Sequence, residues 1–123
     1  GYGPNRFLRQ AYKNEDIILF GNGEEQRDHV WVEDVAEIIS NVIFHCSEGK
    51  LNVATGEVTS FQDIAEIAIK ATGSNAKIKN VQRSGPMPRR GYRPFDINAV
   101  INAFPEFRFS SVKNYFRINS EIN

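Results

Sequence analysis

Apolar residues recur along this chain with two periods, and the switches between them outline its elements. Arg6 to Lys13 can form a short helix, closed by the polar break Asn14-Glu15-Asp16. Ile17 to Phe20 is a β-branched and aromatic run that meets Gly21-Asn22-Gly23, which predicts a strand and then a tight turn. Val30, Trp31 and Val32 predict a second strand. Beyond it, Val35, Ile38, Ile39, Val42 and Ile43 repeat at helical spacing and define one apolar face. Asp34 stands ahead of them, placed to accept a bond from an amide at the helix start.

The second half continues the alternation. Lys50 to Glu57, KLNVATGE, predicts a short strand entering a glycine turn. Ser60 and Asp63 form a capping-box pattern ahead of a helix carrying Ile64, Ala68 and Ala71, and Gly73 ends it. Ala76 to Val81 alternates as an exposed-edge strand does. Ser84 to Pro94 holds three prolines and two glycines, which predicts a loop. Asp96 is placed to cap a short helix, and Ser110 or Ser111 to open a last one carrying Val112, Tyr115 and Phe116. Helices intermixed with short strands predict an α/β chain with α+β character. No long β-rich run of the kind that forms the centre of a parallel sheet occurs.

Composition narrows the class. A chain of 123 residues suits a single domain, residues 1–123, and 41% hydrophobic with 24% charged residues is ordinary for a folded one. Fifteen basic and fifteen acidic residues cancel, so no global field gathers nucleic acid or an anionic membrane, and neither is an expected partner. The single cysteine, Cys46, excludes an intrachain disulfide and fits a reducing, cytoplasmic setting. No apolar run approaches the length of a bilayer span. The opening Gly1-Tyr2-Gly3-Pro4, without a methionine, reads as the start of a fragment.

Candidate chemistry is sparse. Gly21-Asn22-Gly23 could cradle a phosphate with its amides, although a tight turn explains it more simply. No glycine set has dinucleotide or P-loop spacing, and none of the four tyrosines has a lysine four positions on. His29, His45 and Cys46 lack metal-ligand spacing, so no metal is expected. Arginine remains. Arg83, Arg89, Arg90 and Arg93 crowd the Pro/Gly loop, where guanidinium forks match phosphate oxygens; a solvated basic loop fits the same residues. Arg27-Asp28, taken alone, reads as a surface ion pair worth under about 1 kcal/mol.

The order of motifs adds more than any one of them. Tyr2-Gly3-Pro4 is followed by GNGEEQRDHVWVEDVAE, then LNVATGEVTSFQDIAE, then RSGPMPRR with Phe95-Asp96-Ile97. This series, from Tyr2 to about Phe109, resembles the C-terminal part of nucleotide-sugar epimerases and dehydratases of the extended short-chain dehydrogenase/reductase family. The resemblance implies a small substrate-binding lobe of helices and short strands, without the Rossmann sheet. NAD or NADP and the catalytic tyrosine–lysine pair would then belong to an N-terminal Rossmann domain of the same protein, and this chain alone would be inactive.

By the same resemblance Arg27 matches an arginine that contacts the nucleotide diphosphate. Arg83 matches the first arginine of a later phosphate-contacting loop, and Arg89 or Arg90 the second. Tyr2 would pass close to the nicotinamide side of the cofactor. Asp34 would cap a helix, and Asn52 and Thr55 would matter through backbone placement. The substrate would be a UDP-, dTDP-, GDP- or CDP-linked sugar. The competing reading is a non-enzymatic module that takes an anion, RNA or an acidic protein on the Arg83–Arg93 loop.

Overall fold

The fold, a computed structural model, is described over residues 2–121, so Gly1 of the opening stretch lies outside the described residues. Helix α1, Pro4–Tyr12, begins on a proline, whose missing amide hydrogen is no loss in a first turn. Strand β1, Ile17–Phe20, buries Ile17 and Leu19 and exposes Ile18 and Phe20, the period of a half-covered strand. It pairs in parallel with β4, Ile78–Val81.

Helix α3, Phe61–Thr72, organises the larger core. The Ser60 hydroxyl accepts the Asp63 amide at 3.0 Å, and Gly73 closes the helix in the left-handed region at φ 63°. Its buried Phe61, Ile64, Ala65 and Ala68 meet Phe7, Leu8 and Ala11 of α1, the inward residues of β1, and Phe116 of α5, Val112–Glu121. Facing alanines at 11, 65 and 68 keep the side chains between the two helices small.

A second sheet sits beside this core. Strand β2, Gln26–Asp28, lies between β3, Val58–Ser60, which runs antiparallel to it, and β5, Tyr92–Arg93, which runs parallel. A smaller apolar cluster joins Ile38 of α2, Val32–Phe44, to Val100 of α4, Asn98–Ala103, and to Phe104. The result is the α/β arrangement of helices and short strands that the hydrophobic pattern implies.

Several local expectations are corrected. The second strand lies at Gln26–Asp28 rather than at Val30–Val32, because it is the polar stretch that finds partners on both sides. Trp31 is the residue before α2, and it makes no side-chain cap. Asp34 therefore stands inside the first turn, buried, where its carboxylate accepts the Ser110 amide at 2.6 Å and the Ser110 hydroxyl at 3.2 Å. It ties α2 to the approach to α5 instead of capping its own helix. Lys50–Glu57 forms no strand; the ladder begins only at Val58. The Ser84–Pro94 loop contains one 3-10 turn, Pro88–Gly91, and the two residues of β5.

Two later helices have a polar side chain bonded to their first turn, although Ile97 and not Asp96 is the residue before α4. Asp96 Oδ1 accepts the Asn98 amide at 2.9 Å, and Ser111 Oγ accepts the Asn114 amide at 3.2 Å. The apolar face of α2 is only partly covered: Ile38 is buried, but Val32, Ile39, Ile43 and Phe44 are 70%, 52%, 71% and 83% exposed. Among the described residues no helix is long and apolar enough to cross a membrane.

Candidate anion-binding site

The glycine turn after β1 sets the site's position without forming it. All three of its amides are engaged internally: Gly21 donates to the Val81 carbonyl, Asn22 to Glu24 Oε2, and Gly23 to the Phe20 carbonyl. No donor is left there for a phosphate. Gly23 has φ 69°, and a Cβ on it would come within 2.7 Å of Leu19 Cδ1 and 2.9 Å of the Gln62 nitrogen. The turn is thus glycine so that the chain can pass against the start of α3. There the Phe61 and Gln62 amides donate to the carbonyls of Glu25 and Gly23 at 3.1 and 2.9 Å. These bonds satisfy the orphan donors of the helix and hold Glu25 at its foot.

Residues two apart on an extended chain share a face, so Glu25, Arg27 and His29 all point toward α3. The Glu25 side chain is 4% exposed. Its Oε1 accepts both the Arg27 Nε, at 2.9 Å, and an Arg27 terminal nitrogen. Its Oε2 accepts a terminal nitrogen of Arg83 at 3.3 Å. Arg27 also lies over the Phe61 ring, with the guanidinium carbon 5.4 Å from the centroid. Arg93 stands in register with Arg27 on the neighbouring strand. The Nε atoms of Arg83 and Arg93 are buried without a hydrogen-bond partner. Two guanidiniums against one carboxylate leave the cluster cationic.

The sequence-derived candidates divide accordingly. Arg27 and Arg83 are brought together. Arg89 and Arg90 are not: both are exposed, on consecutive left-handed residues with φ 48° and 55°, and among the described residues neither makes a side-chain hydrogen bond or ion pair. Tyr2 packs at the edge of the larger core, its ring 4.7 Å from Phe61 and 5.2 Å from both Phe7 and Phe20. Its hydroxyl accepts the Phe20 amide at 3.3 Å, and burial raises its pKa above the ordinary tyrosine value.

Two residues have roles that the sequence reading misassigned or missed. Asp28 makes no pair with Arg27. Its carboxylate accepts the Thr55 amide and hydroxyl at 3.0 and 2.8 Å and the Gly56 amide at 2.8 Å, so Thr55 acts through its side chain as well as its backbone. Glu25 went unnoticed, although its spacing of two from Arg27 across a polar strand was the available signal.

His29 packs edge-on to Phe61 at 5.9 Å, and its Nε2 is buried without a partner. Burial, and then the charge of Arg27, lowers its pKa. His29 borders two clefts of about 580 and 730 Å³, yet neither is walled by Arg27 or Arg83. The cations lie instead on an open face, with 36% of the Arg27 side chain exposed. This arrangement can bind and orient an anion; Glu25 is engaged by the two arginines, and the Tyr2 hydroxyl accepts the Phe20 amide.

Comparison with known proteins gives the geometry a context. The family model described as GDP-mannose 4,6 dehydratase matches residues 5–104. The UDP-N-acetyl-alpha-D-glucosaminuronate decarboxylase of Bacillus cytotoxicus is 27% identical over 77 residues, which cover 62% of this chain and 24% of that protein. The Bordetella bronchiseptica enzyme WbmF, solved in complex with NADH, superposes with a TM-score of 0.79 at 23% identity, over 96% of this chain and 35% of that one. The UDP-N-acetylglucosamine 4-epimerase of Methanobrevibacter ruminantium, solved with UDP-N-acetylmuramic acid, has a TM-score of 0.79 at 19% identity, over 99% and 39%. The chain therefore spans about a quarter of the curated relative's length and little more than a third of these solved chains.

Proposed function

The chain belongs to the GDP-mannose 4,6 dehydratase family, and on that premise we propose that it is the substrate-binding lobe of an NAD(P)-dependent nucleotide-sugar epimerase or dehydratase. The observation that carries this reading is the convergence of Arg27 and Arg83 on buried Glu25, with the Arg27 side chain 36% and the Arg83 side chain 20% exposed. Charge-assisted, fork-shaped donors suit the paired phosphates of a nucleotide diphosphate. Held at that anchor, the substrate presents its sugar at a fixed distance and angle, and remote binding energy is converted into orientation at the reacting carbon.

The described residues form no dinucleotide cradle of their own. The Gly21–Gly23 turn has no free amide, and the described sheets have two and three short strands; the Tyr2 hydroxyl accepts the Phe20 amide and keeps its own proton to donate. The dinucleotide is assigned to a Rossmann domain of the same protein. The exposed apolar residues of α2 supply a surface that such a domain would cover, and the open face beside Arg27 would gain its opposite wall.

The test is kinetic. In the complete enzyme, Arg27→Ala raises the apparent KM for the nucleotide-sugar by about 10- to 100-fold with a smaller change in kcat, as expected for a lost charge-assisted contact. Unchanged KM removes Arg27 from the substrate site. Turnover of UDP- or dTDP-sugars with NAD by this chain alone contradicts the division of labour.

A further inference from the structure

We propose that Glu25 is a positioning residue for the anion seat: it clamps Arg27 and Arg83 into a pair preset for two linked phosphates. This rests on the reading of Arg27 as a diphosphate contact and adds a residue and a role to it. A carboxylate beneath an anion-binding site looks at first like an obstacle, since it neutralises one cation and repels the ligand. Its burial decides otherwise. With 4% of its side chain exposed and its carbonyl bonded to the Phe61 amide, Glu25 has no outward path by which it could compete for the guanidiniums from the ligand's side.

Hydrogen-bond geometry shows what the clamp does. A guanidinium carries five N–H donors in a rigid plane. Glu25 takes Nε and one terminal nitrogen of Arg27 on one oxygen, which fixes that plane, and a terminal nitrogen of Arg83 on the other. The two cations are thus held across the breadth of one carboxylate, closer than they would rest unaided, with the Arg27 side chain 36% and the Arg83 side chain 20% exposed. Phe61 supports the Arg27 plane from one face. Two flexible side chains are ordered before any ligand arrives, so binding need not meet that entropy loss.

A neutral isostere separates this role from simple electrostatics, because the two predict opposite signs. Glu25→Gln makes the cluster more cationic, which on charge alone tightens anion binding. It also replaces one acceptor oxygen with a donor, so a single amide cannot hold both arginines. The experiment is calorimetric titration of the complete protein, saturated with its dinucleotide, and of its Glu25→Gln, Glu25→Asp and Arg27→Ala variants, with pyrophosphate and with inorganic phosphate. The expected result is that the protein prefers pyrophosphate. Glu25→Gln then loses about tenfold or more in pyrophosphate affinity while phosphate changes less, so the preference narrows.

A folded Glu25→Gln that binds pyrophosphate as tightly as the parent, or more tightly, overturns the clamp and leaves the anion seat standing. Absence of pyrophosphate binding by the complete parent protein, or binding that survives Arg27→Ala, overturns the seat and the clamp with it. Where Glu25→Gln shows no cooperative melting, Glu25→Asp decides: it keeps the charge but shortens the reach by one methylene. A narrowed pyrophosphate preference in that variant supports the clamp, and an unchanged preference overturns it.

Discussion

Two pairs of arginines in this chain differ in everything but residue type. Arg27 and Arg83 meet on a carboxylate that is almost wholly buried, one of them stacked on an aromatic ring. Arg89 and Arg90 occupy a left-handed turn in solvent, on a loop whose prolines dictate its course. A cationic side chain becomes a defined donor only when something holds its plane, and the exposed turn offers nothing that does. Local density of arginine in the sequence marks the second pair. Only the fold distinguishes the first.

The largest effect expected from breaking this contrast is on stability. Arg27→Ala leaves Glu25 buried with one long contact remaining and lowers the unfolding free energy by about 2–3 kcal/mol, less than for a fully buried pair because Arg27 is partly solvated. Arg89→Ala stays within about 0.5 kcal/mol of the parent, as surface substitutions do. Chemical denaturation of the three chains measures both. Equal losses from the two variants would erase the distinction between the pairs.

A second, smaller effect reads the desolvation beside Arg27. Burial and the neighbouring guanidinium hold the His29 imidazole below the ordinary histidine value of about 6.5. As pH falls, the unfolded chain takes up that proton first. The His29 contribution is therefore complete above about pH 7 and is lost as pH falls from about 6.5 through the folded-state value, with a slope no steeper than about 1.4 kcal/mol per pH unit. His29→Phe, which preserves the ring against Phe61, flattens that part of the melting-temperature profile. An unaltered profile would show that His29 is solvated in the fold.

The smallest effect belongs to the exposed turn. Arg90 sits at φ 55°, a region that glycine occupies without steric penalty. Arg90→Gly stabilises the chain by at most about 1 kcal/mol, since the relieved strain is offset by glycine's greater freedom when unfolded. A melting temperature that falls instead would show that the Arg90 side chain makes a contact of its own.

Much of this protein was legible in its hydrophobic periodicity, because short-range geometry decides it. The strand at Ile17–Phe20, the Ser60 cap and Gly73 end of α3, and the loop after Arg83 follow from spacing, side-chain hydrogen bonding and backbone restriction within a few residues. The motif order likewise points to the family, and it marks Arg27, Arg83, Arg89 and Arg90 alike, without saying which of them the fold brings together. The middle strand was not legible: Gln26–Asp28 has no apolar alternation, and it is a strand only because Val58–Ser60 and Tyr92–Arg93 arrive on either side. Nor could the partner of each charge be read. Arg27 adjoins Asp28 in sequence but bonds Glu25, while Asp28 reaches 27 residues ahead to Thr55 and Asp34 reaches 76 ahead to Ser110. Neighbouring residues on a strand point to opposite faces, so adjacency separates charges that the sequence seems to pair. Residue types and element spacing were thus determined along the chain. Which carboxylate holds which cation was decided by what the tertiary fold buries together.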